Sequence, residues 1–587
     1  MLEKIILIND NEAHIKINTN QSTMADLVNL HLIFEDEERK ILGEITQINN
    51  DIIIVHFLGE FQNNIFIPGI IKKPKLSSQV RVIDLSELEI IMNNNDESAF
   101  NFGKSIIYNN MIVNVNIDAL FSNHLAIFGN TGSGKSYGVS KILQSLFYNP
   151  NNIAFNSTFF LFDVHGEYDT AFKDMHQKNP NYYYKAYTTN PKQPYEQQIF
   201  IPIWLLDIED IAFLLGATDF SQLAIIEKAM ITLAIITQND EIAAKYKNHL
   251  IAKSIQNVLY SNLSTSKIRS EIFEIISICS TPEFDFDTDI PGIGYTRKFK
   301  KCFNIGRNGQ FSENVLINEY LEKFIDDDLE RQEVKAIGKC NLYDLENALN
   351  FVIISENILI DDKFYNLTMM LKMKLKSLIA KGYAKLFDYP EYINKEQFIV
   401  NLITNEEKRK AQVINIDIEG LNINLASFIT RTYAKIIFSF ISLLKNRASI
   451  PIHLLLEEAH HFIHNKDSLV YGENIFERIA KEGRKYGVVL TLISQRPTEL
   501  SETVLSQCAS FLLFRTNHPK DLEYMKKAIP NINTDIIDRQ RSIQPGYCVG
   551  FGKAFKIPLI IKLDEPDPPP HSSSARIFNI WSGRNLQ

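Results

Sequence analysis

Only five cysteines occur in 587 residues (Cys279, Cys302, Cys340, Cys508 and Cys548), and none forms a CxxC pair or sits at metal-ligand spacing. That excludes a disulfide framework and a cysteine zinc site, and an odd, sparse set suits a reducing, cytoplasmic compartment. Long apolar runs are also missing. Stretches as apolar as "IIFSFISLL" (436–444) fall well short of the roughly 20 residues a membrane helix needs, so no membrane partner is expected. The opening "MLEKIILIND" sets acids and a lysine around a very short apolar run, which is the wrong pattern for a signal peptide. Nor is there an excess of positive charge. A formal net charge of −9 argues against an all-over basic nucleic-acid coat and leaves room for a local basic channel.

What is there is ordinary for a soluble globular protein: 45% hydrophobic and 22% charged residues. The length is too great for one core, so two to four structural units are expected. Residues 1–95 read as short strands rich in β-branched residues ("KIILI", "HIKIN", "EITQI", "DIIIVHFLG", "VRVIDL") between Asn/Asp and Gly/Pro clusters. A small closed barrel fits them, since closure removes exposed edges. The polar stretch 92–105 then reads as a linker. From about 110, strands alternate with helices, as in an α/β layer. "HLAIF" (124–128) and "TFFLFDVHGEY" (158–168) give its first strands. Apolar residues recur at helical spacing over about 206–395, which reads as an insertion. Strand signals resume at 412–418, 450–458, 487–495 and 510–516, followed by the pair "GYCVGFG" and "IPLIIKL". The expected units are thus 1–95, 96–205, 206–395, 396–564 and a Pro-rich, extended tail, 565–587, suited to gripping a neighbour.

Gly129-Asn130-Thr131-Gly132-Ser133-Gly134-Lys135-Ser136, followed by Tyr137, matches G-x-x-x-x-G-K-[ST], with a predicted strand before it and a helix after it. Such glycines let backbone N–H groups approach phosphate oxygens, and the helix presents its positive end to them. Lys135 then neutralises the β- and γ-phosphates of a nucleoside triphosphate, and the Ser136 hydroxyl ligates Mg²⁺. ATP and Mg²⁺ are the expected cofactors.

The Mg²⁺ site also needs an acid at a strand end, and two candidates compete. Asp163 ends "FFLFD" one helix after the P-loop, where a neighbouring strand is expected, and Glu457-Glu458 end "HLLLEE". The doubled acid can do two jobs, so Glu457 is assigned to Mg²⁺ and Glu458 to the general base. A solvated acidic strand end is the alternative. His460 and His464, at i, i+4, share one face of a predicted helix, yet no third ligand sits at useful spacing, so packing histidines are favoured over a zinc site. In "RIAKEGRKYGVVLTLISQRPTEL" (478–500), Arg484 and Lys485 are placed on the loop before a buried strand, and Gln495-Arg496 follow it. Gln495 suits a γ-phosphate sensor, and Arg484 a finger reaching a neighbouring subunit's nucleotide. Structural ion pairs are the competing role for Arg484 and Arg496.

Together these motifs resemble the HerA-type hexameric ATPases, relatives of the FtsK DNA pumps. The matching pieces are "NHLAIFGNTGSGKS", "LFDVHGEY", "LLLEEAHHF" and "EGRKYGVVLTLISQRPTELS". The resemblance runs nearly the whole chain in order and is weakest over about 240–400. It implies an α/β, RecA-like P-loop ATPase core with an N-terminal HAS barrel and a helical insertion. It places Lys135 and Ser136 at the nucleotide, Glu457 and Glu458 at the Walker B position, Gln495 as sensor, Arg484 as trans finger, and Asp163 and His165 lining the site. Glu457 departs from the aspartate common in Walker B motifs generally. The family implies a homo-hexamer around double-stranded DNA, gripping the backbone electrostatically. Its usual partner is an effector encoded nearby: a NurA-type or other nuclease, or a Sir2-like protein, in DNA end processing or anti-phage defence. The alternative is an ATP-regulated hexameric scaffold that assembles and activates such an effector. A small-molecule kinase lacks the substrate lid it would need.

Overall fold

The β-branched runs of the N-terminus pair as one antiparallel sheet. Its strands are β1 (Leu2–Ile8), β2 (Glu12–Ile17), β3 (His31–Glu35), β4 (Lys40–Asn49), β5 (Ile52–Gln62), β6 (Ile65–Pro68) and β7 (Gln79–Val82). They lie in the order β1-β2-β5-β4-β3-β7, with β6 on β5. Alternation puts Ala13, Ile15 and Ile17 of β2 inward, with Ile41, Ile45, Ile53 and Val55 in the same small core. Bulges at Leu42/Gly43 and Ile45/Gln47 bend the β4–β5 ladder. The expected barrel is not closed: among the described residues no ladder joins β1 to β7, so the unit is a half-barrel. The computed structural model describes residues 2–17, 27–37, 39–93, 97–148, 154–326, 328–329, 336–356, 362–405, 407–464, 472–529, 534–572 and 581.

After the helix Leu85–Met92 the chain enters the main sheet. Its strands before the insertion are β8 (Ala99–Ser105), β9 (Met111–Asn116), β10 (His124–Phe128), β11 (Thr158–Asp163), β12 (Tyr184–Thr188) and β13 (Glu196–Gln198). The linker reading of 92–105 therefore needs correction: its second half is β8, where Phe100 and Phe102 alternate inward between polar residues. Helices then dominate from Ile208 to Ile403, broken by a hairpin of β14 (Asp289–Gly292) and β15 (Tyr295–Lys298). Part of this insertion carries its own core, built on Ile251, Ile255, Ile272, Phe284, Phe299 and Leu321. One helix, Phe220–Thr237, reaches the length and apolarity of a membrane-crossing segment. Its Ile225, Ile226, Ala229 and Leu233 are instead buried in the core shared with β10 and β11.

The sheet resumes with β16 (Val413–Asp417), β17 (Ile452–Leu456), β18 (Val488–Ser494), β19 (Cys508–Leu513), β20 (Tyr547–Gly552) and β21 (Leu559–Lys562). The full order is β13-β12-β16-β11-β17-β18-β10-β19-β20-β21-β8-β9. From β13 to β19 the ladders are parallel, and from β19 to β9 they are antiparallel. Both faces are covered, so β10 reads as an unbroken apolar run: Ala126 and Phe128 enter one core, Leu125 and Ile127 the other. Asp163 does not end a neighbour of the P-loop strand. β11 lies three positions from β10, with β17 and β18 between them.

The half-barrel is keyed to the core by a buried ion pair, Arg539 Nη1 to Glu44 Oε1 at 2.6 Å, with side chains 11% and 3% exposed. Beside it Tyr108 Oη accepts the His31 backbone N–H at 3.0 Å. Burial, then the Arg539 charge, pushes the pKa of His31 down to about 3. Removing one member of such a pair strands the other charge, so Arg539→Ala should cost about 3 kcal/mol. Hydrogen exchange is the measure: β3, β4 and β5 should lose protection selectively, and unchanged protection would show that the pair holds nothing.

Candidate nucleotide-binding site

β10 ends at Phe128, and the glycine-rich turn leads straight into the helix Lys135–Phe147. Two of its glycines are required by geometry. Gly134 has φ 103° and caps the helix, and a Cβ there would also sit 2.9 Å from Gly546 N. A Cβ on Gly129 would meet Phe514 Cβ and Ser133 Oγ, each at 2.6 Å. Lys135 is buried within the turn and donates from Nζ to the carbonyls of Gly129 (2.8 Å) and Asn130 (3.1 Å). Burial draws its pKa below the usual ammonium value, against the charges of Glu458, Glu457 and Glu167.

The acids arrive from β17, two strands away. Between them lies β18, whose last residue leads into Gln495. Gln495 bridges the two: Thr131 Oγ1 donates to its Oε1 at 2.6 Å, and its Nε2 donates to Glu458 Oε1. Glu458 has φ 47°, a left-handed conformation uncommon for a residue with a long side chain and characteristic of functional sites. His165 Nε2 lies 3.9 Å from Glu458 Oε1, and His460 Nδ1 lies 3.4 Å from Oε2. Burial alone would raise the pKa of Glu458, but the nearby His165, the bond from Gln495 and the Lys135 charge bring it below the usual value. Glu457 is pushed the other way, first by burial and then by Asp163, Glu167 and Glu458. Its Oε2 accepts the backbone N–H groups of Val164 (2.9 Å) and His165 (3.4 Å).

These groups face a cleft of about 620 Å³. Thr131, Lys135, Ser136, Glu457, Glu458 and Gln495 line its phosphate end. Tyr137, Pro545, Gly546 and Leu563–Pro566 line the other. Among the described residues, no three His, Cys, Asp or Glu side chains converge on a metal. Ser136 and Glu457 fit Mg²⁺ of the kind that takes its remaining ligands from phosphate and water. A buried carboxylate crowded by three others is an environment that a divalent cation would relieve.

Several sequence expectations land elsewhere. Asp163 braces the site from behind: its carboxylate accepts the N–H groups of Glu167 and Tyr168, each at 3.0 Å, and it does not line the cleft. His460 and His464 share no helix face. Residues 459–461 form one 3₁₀ turn, and His464 bridges to Leu500. Burial pushes the pKa of His460 down to about 4, and its Nδ1 lies 3.1 Å from Ser494 Oγ. Arg484 and Lys485 are not on a loop but in the last turn of the helix Ile475–Tyr486. Arg484 Nη1 donates to Asn123 Oδ1 at 3.2 Å. Asn123 precedes β10, so the guanidinium sits at the opposite end of that strand from its own P-loop, about 17 Å away along its five residues. Arg496 pairs with Glu499 at 2.8 Å.

The described part of the tail, through Ser572, packs on its own chain. Gln144 exchanges hydrogen bonds with Asp567 N (2.9 Å) and Pro568 O (2.8 Å), and His571 N donates to Glu167 O at 2.7 Å. Residues 573–580 and 582–587 lie outside the described residues. The wall at Pro545–Gly546 and Leu563–Pro566 escaped sequence reading, because no motif marks it.

The pKa of His165 is raised, first by the proximity of Glu458. The protonated ring is thus favoured, and the attraction fades as pH rises through that raised value. In Glu458→Gln the pKa should drop back toward the free-imidazole value of about 6.5. An NMR titration reads this directly, and an unmoved pKa would mean the two groups do not interact.

Residues 100–290 match the sequence family described as "Helicase HerA, central domain". A probable DNA double-strand break repair helicase HerA of Methanocaldococcus jannaschii is 27% identical over 567 residues, covering 93% of this chain and 92% of that protein. The DNA double-strand break repair helicase HerA of Saccharolobus solfataricus is 36% identical over 114 residues, 19% of this chain and 23% of that protein. Among solved structures, VirB4 of Thermoanaerobacter pseudethanolicus superposes with a TM-score of 0.40 at 12% identity, over 81% of this chain and 98% of that one.

Proposed function

We infer, from the premise that this chain is a HerA-type P-loop ATPase, that it hydrolyses ATP to drive translocation on, or unwinding of, DNA. The single observation that carries the chemistry is the Gln495 bridge between Thr131 and Glu458. It ties the carboxylate that would activate water to the loop that would hold the γ-phosphate. Lys135 would balance phosphate charge, Ser136 and Glu457 would hold Mg²⁺, and the cation would offset charge on the triphosphate. Glu458, held ionised, would accept the proton of the attacking water.

The finer reading is a homo-hexamer acting on double-stranded DNA, with Arg484 completing each neighbour's site and the half-barrel as docking surface for a nuclease or Sir2-like effector. What supports it is that Arg484 lies at the far end of β10 from its own P-loop, out of reach of its own nucleotide site. An ATP-regulated scaffold for the same effector uses the same residues and differs in ignoring DNA.

Glu458→Gln should lower ATP turnover by about 10³-fold with ATP binding retained, and the wild-type rate should rise with duplex DNA. A rate indifferent to DNA that rises with a co-purifying effector favours the scaffold. Arg484→Ala should lose turnover by a similar factor of about 10³ and still bind ATP. Mixing inactive Arg484→Ala with inactive Lys135→Ala protomers should restore activity, because one supplies the loop and the other the guanidinium. No recovery in mixed rings would refute the shared site.

A further inference from the structure

The helix Asp362–Ala380 packs one side into the core through Leu371, Leu375 and Leu378 and turns the other to solvent. Residues three, four and seven apart share a helix face, so its outer crest carries Asn366, Met370, Met373 and Ser377. Met370 is 56% exposed and Met373 67%. Lys372 and Lys376, four apart, run along one flank of that crest. Lys374 and Lys381, seven apart, run along the other, with Lys381 just beyond the helix end.

The charge on this face is of one sign. Residues 363–387 contain six lysines and no acid, in a chain of net charge −9. Among the described residues, only Glu346 comes within ion-pair distance of these side chains, 3.9 Å from Lys376 Nζ. Other exposed helices of the chain set opposite charges four apart, as in Glu523 with Lys527 and Arg478 with Glu482. Lys372 and Lys376 repeat one sign at that spacing, which is unfavourable for the helix by itself. A solvated face gains nothing from this arrangement, whereas a polyanion laid along it is attracted by both flanks.

The crest decides the class of polyanion. Two methionines between Asn366 and Ser377 make too narrow an apolar strip for a helix lying in a bilayer surface. A duplex groove suits it better: the major groove is about 12 Å wide and admits a helix, and flexible thioether side chains adapt to varied surroundings there. We propose that the outer face of this helix is a duplex-DNA contact, with Lys372, Lys374, Lys376 and Lys381 on phosphates of the two groove walls and Met370 and Met373 toward the groove floor. The helix lies beyond residues 100–290, which match the HerA family, and no motif assigns it a part. The inference rests on the reading of the chain as acting on DNA and names a place where it grips.

The test changes all four side chains in the full chain (Lys372→Gln, Lys374→Gln, Lys376→Gln, Lys381→Gln) and follows binding of a fluorescent duplex by anisotropy across a salt series. Each lost phosphate contact takes about 0.9 from the slope of log affinity against log salt, so the slope should fall by about 3 to 4. Affinity at about 0.1 M salt should drop more than about 10-fold, and equally for duplexes of different sequence. ATP turnover without DNA, oligomeric size and thermal midpoint should stay at wild-type values, while the duplex concentration for half-maximal stimulation rises. Arginine at the same four positions should restore binding. Wild-type affinity and slope in the glutamine variant overturn the proposal. Loss of assembly also overturns it, since the face would then be a contact between copies. So does loss of a co-purifying protein with DNA affinity kept, since the polyanion would then be an acidic protein. If the wild-type chain itself binds no duplex, the DNA reading falls, and the proposal with it.

Discussion

The placement of β18 between the P-loop strand and the acidic strand sets the rest of the site. Adjacent strands stand about 4.8 Å apart, so the tips of β10 and β17 are separated by about 10 Å. That gap is too wide for an aspartate or glutamate at the end of β17 to touch the loop directly, and it leaves room for phosphate, metal and water. The tip of β18 falls in the middle of the gap. A side chain there must reach both ways, and Gln495 does so with one amide: its oxygen accepts from Thr131 and its nitrogen donates to Glu458. A carboxylate in its place would repel Glu458, and a leucine could join neither side.

The same arrangement separates two carboxylates that are neighbours in sequence. Glu457 is held by backbone N–H groups of the segment after β11 and is crowded by Asp163, Glu167 and Glu458, so burial and like charge favour its neutral form. Glu458, turned by its left-handed backbone, meets Gln495, His165 and the Lys135 charge, which favour its ionised form. Two identical side chains thereby acquire opposite proton affinities from their surroundings.

Much of this was legible in the sequence because it was written in local patterns. The strands β10 (His124–Phe128), β16 (Val413–Asp417) and β19 (Cys508–Leu513) are largely apolar and buried, and the glycine-rich loop carries its own conformational demands at Gly129 and Gly134. What was not legible is non-local. The strand order moved Asp163 behind the site, since sequence proximity to the P-loop does not set sheet adjacency. Arg484 read as a loop residue because Gly487, whose left-handed φ of 80° ends the helix, comes only three residues later. β8 was hidden by Asn101 on its exposed face and Gly103 at its irregularity, and the cleft wall at Leu563–Pro566 has no motif at all.

The half-barrel and the phosphate loop are joined by one short path through the chain. Glu44 holds Arg539 in a buried pair. The next residue, Gln540, is fully buried and clamps Thr516 from both sides: Oε1 accepts the Thr516 N–H at 2.7 Å, and Nε2 donates to its carbonyl at 3.1 Å. Thr516 follows Arg515, whose carbonyl accepts the Asn130 N–H at 2.9 Å. Six residues beyond Gln540, Gly546 N donates to the Ser133 carbonyl at 3.2 Å and blocks any side chain at Gly134. The helix Thr534–Ser542 therefore touches the half-barrel through Arg539 and, through its immediate neighbours, both limbs of the P-loop. Packed interiors transmit displacements rather than absorb them. A continuous path of one ion pair and backbone or amide hydrogen bonds thus runs from Glu44 to the loop that would hold the phosphates.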